Sequence, residues 1–440
     1  MSSLMDKQLN FNSKIKTNFN GGDLTSDAGL LLYKEFDETI GFSRLIKDKL
    51  KVTDSAKVRT HTNPDIALQK IYQIIAGYSR DDHADELRHD PVFTSILGKS
   101  ELASQPTISR FNARLNTDNL KQFQEINTQL TDRIYKIVPP EQVIFDIDST
   151  NFKTFGKQYG SDYNSHYASN GYHPLLMFDG LTGDMLKAEL RSGNVYTSRQ
   201  VVRFIGPELA RYKTKYPNTM RIIRADSGFA VPELYDLIEE NQGLYAIRLK
   251  ANPSLYKLSK DIEGRMAELT ENDLYSYQVI YGQFEYKATS WNKSRRVVVK
   301  LEKPEGQLTG TYTFVVTNMS SMPKEVIRFY SNRGTMENFI KEGKNGFSFD
   351  QMSSTDFIAN ANKLALGMLA YNLNNWLRRI CFSKPLESNR IDNIRMKLIK
   401  IAAKIVRGSR YLTFKLCSSC PYKKAFNTIL ENIQQMSFAT

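Results

Sequence analysis

Two short apolar segments of the chain each end in acidic residues. Residues 143–148 read VIFDID, and residues 221–229 read RIIRADSGF. Side chains alternate between faces along a β-strand, so Asp146 and Asp148 would share one face, and Asp226 would end a second strand. A carboxylate among apolar residues costs desolvation free energy unless something compensates for it, and a divalent metal ion is one such compensation. The alternative is that each aspartate caps the turn after its strand.

A third acid lies in a segment with helical spacing. On a helix with about 100° per residue counted from Tyr330, Arg333 falls at about −60°. Glu337 and Lys344 fall at about −20° and −40° on the same wheel, whereas the competing acid Glu342 falls at about 120°. The spacing therefore favours Glu337 as the catalytic acid. A surface helix held by salt bridges is the alternative.

Three acids from two strand ends and one helix can hold two Mg²⁺ ions, with Mn²⁺ as a possible substitute. Such ions support in-line displacement at a phosphodiester, which is the chemistry of a nuclease or a strand-transfer enzyme. Arg333 and Lys344 would share the face of Glu337, and there they could bind the phosphates beside the scissile bond.

The elements that would position these acids alternate between strands and helices in the middle of the chain. The order from residue 141 to residue 250 is βββαβαβ, which is typical of ribonuclease-H-like domains. The predicted fold is therefore α/β, with a ribonuclease-H-like catalytic domain, a β insertion and helical regions at both ends. We expect these boundaries: a helical DNA-binding region at 1–138, the first part of the catalytic domain at 139–250, the β insertion at 251–320, the catalytic helix region at 321–355 and a basic helical region at 356–440.

The charge distribution indicates nucleic acid as the partner. The chain holds 60 Lys and Arg against 47 Asp and Glu, a formal charge of +13. Residues 357–440 alone hold 14 Lys or Arg and three acids. Lys404 and Arg407 belong to a basic segment at 395–410 with helical spacing, which could track a phosphate backbone. The alternative is that the excess charge only solubilises a helical tail.

A weaker DNA-binding signal lies near the start of the chain. In SQPTISRFNARL, Ser104 or Thr107 could cap a helix that carries Arg110, which would resemble a recognition helix. A plain surface helix is the alternative. The opening residues are polar, and no stretch approaches the length of a membrane span, so the sequence predicts a cytoplasmic, nucleoid-associated protein with no membrane partner.

The sequence also resembles a known family. Tyr330, Arg333, Glu337 and Lys344, at spacings x2, x3 and x6, match the Tyr-Arg-Glu-Lys signature of DDE transposases from bacterial insertion sequences. The segments FDIDST, YHPLLMFDGLTGDMLKAELRSGN, RADSGF and NRGTMENFIKE also resemble insertion-sequence family thirteen-eighty. Similarity at LASQPTISRFNARL and MKLIKIAAKIVRGSRY extends the resemblance over nearly the whole chain.

The resemblance implies cut-and-paste transposition of an insertion sequence by a metal-dependent DNA endonuclease and phosphoryl transferase. Its partners would be double-stranded terminal inverted repeats and target DNA, bound by a dimer in a paired-end complex. The family pattern Asp-x-Thr fits Asp148, although Asp146 could substitute or assist. An aromatic residue of the β insertion stacks on a flipped base in related enzymes, and Trp291 is the candidate here, unless it is a core residue.

Two other functions fit the same residues. A DNA-binding repressor derived from a transposase would occupy DNA ends without cutting, although the presence of all three acids argues against it. A metal-dependent nuclease without strand transfer would use the same acids.

Overall fold

The computed structural model describes residues 6–55, 58–271 and 275–436. The chain folds into two compact units. The first comprises Met1–Ile134, Glu342–Phe349 and Ala365–Thr440, and the second comprises Tyr135–Lys341 and Asp350–Leu364. Residues from both ends of the chain therefore belong to one unit.

Helices dominate the N-terminal part, as the apolar spacing predicts. The elements are β1 Lys7–Leu9, β2 Asn12–Thr17, β3 Leu24–Thr25, α1 Leu30–Ile40, α2 Phe42–Lys49, α3 Asn63–Ala76, α4 His83–Glu86, α5 Pro91–Leu97, α6 Gln105–Arg114 and α7 Thr117–Ile137. The helix signals are local: Thr62 and Asp65 form a capping box at the start of α3, and Gly77 ends that helix with a φ of 96°. The hairpin of β1 and β2 was not predicted.

The middle of the chain follows the predicted order of strands and helices. Its elements are β4 Gln142–Ser149, β5 Phe152–Lys153, β6 Asp162–Asn164, β7 Ser169–Tyr172, β8 Leu175–Asp179, β9 Met185–Glu189, α8 Val201–Lys215, β10 Met220–Ala225, the short 3-10 turn Ser227–Phe229, α9 Pro232–Glu240 and β11 Leu244–Leu249. Strands β8 and β9 pair as an antiparallel hairpin. A small sheet in the order β5-β7-β6 fills the link between β4 and β8 and was not predicted.

The segment predicted as a β insertion contains helices as well as strands. It begins with two helices, and its strands continue the central sheet: α10 Pro253–Leu258, α11 Lys260–Thr270, β12 Gln278–Tyr286, β13 Arg295–Lys303 and β14 Thr311–Thr317. The three strands are antiparallel as expected, but β14 pairs with β11. The strands of the predicted insertion therefore extend the central sheet, which strand alternation alone could not reveal.

The second unit is a mixed α/β structure around one eight-stranded sheet. The strand order is β12-β13-β14-β11-β10-β4-β8-β9. Strands β4, β10 and β11 are parallel to one another, and every other neighbouring pair is antiparallel. Phe145, Ile147, Ile223 and Ile247 are buried completely in the core beneath the sheet. This core places the carboxyl ends of β4 and β10 side by side.

The last part of the chain is helical at first and then changes to strands. Its elements are α12 Pro323–Ser331, α13 Gly334–Phe347, α14 Phe357–Cys381, α15 Lys384–Glu387, α16 Ile391–Ile394, a π-helical turn Arg395–Ile399, β15 Ala403–Arg407, β16 Leu412–Leu416 and α17 Lys423–Gln435. The predicted helix over 395–410 is wrong from Lys400 onwards, because the helical turn ends at Ile399. Strand β15 pairs with β16 and with β3, near the other end of the sequence. In the described segments, no helix combines the length and apolar character that a membrane crossing requires.

Candidate active site

Asp148 occupies the end of β4, where the strand leaves the apolar core. The preceding Ile147 is fully buried, whereas the carboxylate of Asp148 keeps 15% of its surface exposed. One of its oxygens accepts a hydrogen bond of 2.8 Å from the backbone N–H of Ser149. Asp148 is therefore the β4 acid that a substrate can reach.

Asp146 shares the strand face with Asp148, but it has a different partner. Its side chain is completely buried, and both carboxylate oxygens accept hydrogen bonds of 2.6 Å from Arg224. Arg224 also donates to the backbone carbonyl of Phe329 at 2.8 Å. Gly180 leaves room for the pair, because a Cβ there would lie 2.4 Å from Asp146 Oδ2. With both oxygens engaged by Arg224, Asp146 is a poorer candidate than Asp148 for a metal ligand.

Asp226 lies at the end of β10, the strand parallel to β4. The register pairs Arg224 with Asp146 and Ala225 with Ile147, so Asp226 and Asp148 follow at the same sheet edge. The Asp226 carboxylate caps the following 3-10 turn by accepting from Gly228 N at 2.9 Å, and 38% of its side chain is exposed. It both caps a turn and faces solvent.

Glu337 lies in the first turn of α13, with its side chain 70% exposed. Met336 and Ile340 of the same helix are buried, and Phe339 packs on Phe178 of β8 with ring centroids 5.8 Å apart. Because these residues fix one face of the helix, Glu337 is held on the other face.

Arg333 lies among the three acids. Its Nη2 is 2.8 Å from Asp148 Oδ2 and 3.8 Å from Asp226 Oδ2, and its Nη1 is 3.9 Å from Glu337 Oε1. The chain is not helical between Ser331 and Gly334, so the continuous wheel from Tyr330 to Lys344 does not hold. The prediction that Arg333 and Glu337 lie together nevertheless agrees with the geometry.

Burial and charge together disturb the protonation of Asp148. Burial raises the pKa of its carboxyl group, the positive charge of Arg333 opposes this rise, and the negative charge of Asp226 adds to it. The pKa of Asp148 is thereby raised to about 6. Titratable groups shifted in this way are common at functional sites. The carboxylate of Asp148 therefore gains from a positive charge nearby.

The three carboxylates have the chemistry that a hard divalent cation requires. Oxygen ligands from Asp and Glu suit Mg²⁺ and Mn²⁺, and all three carboxylates already surround one positive charge, the guanidinium of Arg333. As they stand, no three Asp, Glu, His or Cys side chains in the described parts of the chain form a group that could hold a metal ion. The three carboxylates therefore suit a divalent metal ion once the guanidinium of Arg333 moves away from them.

The competing acid Glu342 has a structural environment. It is buried, it accepts a hydrogen bond of 2.9 Å from Ile391 N, and it lies 3.5 Å from Arg378 Nη1. All of these residues belong to the first unit.

Lys344 follows in the same helix and is half-buried. Tyr330 is also half-buried and packs on a small cluster made of Ala246, Val298, Val315, Val326 and Ile327.

Trp291 is a core residue. Only 6% of it is exposed, and its ring is packed edge-on by Tyr235 and Tyr286, each with centroids 5.3 Å away. The guanidinium of Arg295 lies 5.5 Å from the ring centroid. Stacking on a base needs an accessible ring face, so this geometry corrects the DNA-stacking prediction in favour of the core alternative.

The three other predicted DNA-binding residues all lie in the first unit. Arg110 is exposed on α6 and lines a cleft together with Arg59 and Arg88. Lys404 and Arg407 are exposed, but they lie on strand β15 and not on a helix. The structure keeps all three accessible to a polyanion.

Sequence reasoning missed two arginines near the acids. Arg224 reads as part of a buried strand, and only the fold reveals that it neutralises Asp146. Arg248 is exposed on β11, where the register that pairs Ala225 with Ile247 brings it beside Asp226. Each is a basic residue within an apolar segment. This pattern could have indicated a buried ion pair or a functional site.

Comparison with known proteins identifies the family of the chain. No curated protein matches the chain. Among solved structures, it is similar to the piggyBac transposase synaptic complex with hairpin DNA, with 15% identity and a TM-score of 0.38 over 85% of this chain and 80% of that one. Likeness of this degree says nothing about mechanism. The family model for the transposase DDE domain group 1 matches residues 7–438, and the chain therefore belongs to that family.

Proposed function

We propose that the protein is a DNA transposase that moves an insertion sequence by cut-and-paste transposition. The observation that carries the proposal is the convergence of Asp148, Asp226 and Glu337 on one cationic group, Arg333. Family membership supports the same function. Cleavage of DNA at the element ends would be followed by attack of the freed 3′-hydroxyl on target DNA.

We propose a ribonuclease-H-like fold for the catalytic part of the second unit. The strand order β9-β8-β4-β10-β11, in which β4, β10 and β11 are parallel and β8 is antiparallel, supports this assignment. The acids at the ends of β4 and β10 then lie next to each other at the centre of the sheet, where adjacent strands are about 4.8 Å apart.

Asp148, Asp226 and Glu337 would hold two Mg²⁺ ions, with Mn²⁺ as a substitute. When bound, the ions supply Lewis-acid stabilisation of the charge that develops on the phosphate oxygens. Arg333 would release the carboxylates and offer its guanidinium to a phosphate, which it can contact with two parallel N–H donors. Arg224 would keep Asp146 neutralised, so that β4 presents one free acid.

Other residues would contact the DNA backbone. We propose phosphate contacts for Lys344, and for Tyr330 through its hydroxyl. In the first unit, Arg110, Lys404 and Arg407 would bind the backbone of the terminal repeats, because they are exposed and basic. Two copies of the chain would act together in a paired-end complex in the cytoplasm, associated with the nucleoid. The segments FDIDST, YHPLLMFDGLTGDMLKAELRSGN, RADSGF and NRGTMENFIKE support membership of insertion-sequence family thirteen-eighty.

A gel assay with labelled element ends tests the proposed function against its two alternatives. The transposase produces a retarded complex, cleaved ends in Mg²⁺ and joined products with target DNA. A silent repressor gives the retarded complex alone. A nuclease gives cleaved ends and no joined product, and either of these last two results would overturn the proposal.

A further inference from the structure

Two exposed tyrosines lie on turns that are connected to the acidic strand ends. Tyr196 is 68% exposed and Tyr167 is 37% exposed. The ring of Tyr167 is held edge-on by His166 and His173, with centroids 4.7 and 5.9 Å away. His173 in turn shares a hydrogen bond of 2.8 Å between its Nδ1 and the carbonyl of Val195, the neighbour of Tyr196. The two tyrosines therefore lie on connected turns. We call these turns, with Tyr167 and Tyr196, the aromatic rim.

The aromatic rim is attached directly to the turns that carry the acids. Ser149, the residue after Asp148, donates a hydrogen bond of 3.4 Å to the hydroxyl of Thr197. A Cβ at Gly228, in the turn that Asp226 caps, would lie 2.9 Å from Thr197 Cγ2. The turn of Tyr196 thus packs against both acidic turns.

Tyr167 also interacts electrostatically with two of the acids. Burial raises the pKa of its hydroxyl, and the negative charges of Asp148 and Asp226 raise it further. The next residue, Ala168, has a φ of 48°, a left-handed conformation that residues other than glycine seldom adopt. Such local strain occurs often at binding sites, where the surrounding structure maintains it.

The surroundings of the aromatic rim favour a nucleic-acid strand over a protein partner. Three further aromatic residues of the link between β4 and β8 expose most of their surface: Phe155 79%, Tyr159 80% and Tyr163 60%. Lys153 and Lys157 are exposed in the same link, and Arg199 is exposed three residues after Tyr196. Residues 150–178 contain a single acid, Asp162, and residues 190–200 contain none. Exposed rings interspersed with basic side chains suit single strands, whose bases stack and whose phosphates attract cations.

We propose that Tyr167 and Tyr196 stack on unpaired bases of the DNA strand that enters the acid site. The inference rests on the proposed function for the identity of the partner, and adds that the strand is unpaired beside the scissile phosphate. Stacking holds the strand with little dependence on base sequence, because every base offers a π-face.

Fluorescence anisotropy in EDTA tests the inference without cleavage. The probes are a mixed-sequence blunt duplex and the same duplex with an unpaired extension of about eight nucleotides. We expect wild-type protein to bind the extended probe more tightly. Tyr167→Ala with Tyr196→Ala should weaken binding of the extended probe by at least roughly 25-fold, because the loss of each stacking ring weakens binding roughly five- to 150-fold, and should change blunt-duplex binding less than twofold.

Matched variants separate stacking from other effects. The double Phe variant keeps both rings and should bind as wild type does, and so should Tyr277→Ala, which removes a tyrosine 52% exposed beside β12, at the opposite end of the central sheet from β9. Tyr196→Ala alone, at the more exposed position, serves if the double Ala variant unfolds. Equal losses on both probes, Phe variants as weak as Ala variants, or no loss at all would overturn the inference. If wild-type protein binds neither probe, the proposed function itself fails.

Discussion

The ion pair between Asp146 and Arg224 should contribute stability and not catalysis. Asp146 is fully buried and Arg224 is 1% exposed, with two hydrogen bonds of 2.6 Å between them. Asp146→Ala would leave a buried guanidinium with only the carbonyl of Phe329, which should cost about 3–5 kcal/mol. At about 2–4 °C for each kcal/mol in a domain of this size, the melting temperature should fall by about 6–20 °C.

Differential scanning calorimetry in metal-free buffer measures this effect. The matched control is Asp148→Ala, two residues further along the same strand face, which should not lower the melting temperature because the charged form of Asp148 is disfavoured in the fold. The pair Asp146→Leu with Arg224→Met should be less destabilised than Asp146→Ala, since it leaves no buried charge. An Asp146→Ala protein that melts within about 2 °C of wild type would refute the reasoning.

Three further predictions follow from the burial and charge of individual residues. Glu342→Ala should lower the free energy of unfolding by about 1–3 kcal/mol, measured by urea titration, and the folded fraction should still cleave DNA. Normal stability together with lost cleavage would make Glu342 the catalytic acid and contradict its structural role. Because the folded-state pKa of Asp148 is raised to about 6, its ionisation costs stability above that pH, and the cost disappears as pH falls towards the unfolded value. Asp148→Asn should therefore be more stable than wild type at pH 7.5 by up to about 3 kcal/mol, a gap that narrows to about 0.5 kcal/mol at about pH 4, and an equal gap at both pH values would contradict this. Lys404→Ala with Arg407→Ala should flatten the slope of log affinity against log salt by up to about two units on specific and random duplexes alike, and an unchanged slope would exclude phosphate contacts.

Local sequence signals were sufficient for the elements that carry the acids. Strand β4, the hairpin of β8 and β9, strand β10 and the helices between them each have an apolar period or a turn that is visible within a few residues. Because two of the acids follow directly from strand ends, their proximity could be predicted once the strands were assumed parallel. The break before Gly334 could not be placed, since helical spacing continues through it.

Contacts between distant parts of the sequence account for what was missed. Residues 403–407, AKIVR, fit a strand as well as a helix, and the pairing of Ala403 with Thr25 decides between them. The position of Trp291 depends on packing by Tyr235 and Tyr286, which no spacing rule reveals. The choice of Asp148 over Asp146 likewise depends on Arg224, 78 residues away from Asp146 along the chain.

Cleavage by single-acid variants tests the central claim most directly. On labelled element ends in Mg²⁺, Asp148→Ala, Asp226→Ala and Glu337→Ala should each slow strand cleavage at least about a thousandfold, since several kcal/mol of charge stabilisation are lost. End binding in the same gel should stay near wild type, and Asp261→Asn, an exposed acid of α11, should cleave normally. Cleavage that persists in Asp226→Ala or Glu337→Ala, or that disappears only together with binding, would contradict the assignment of these three acids as the catalytic centre.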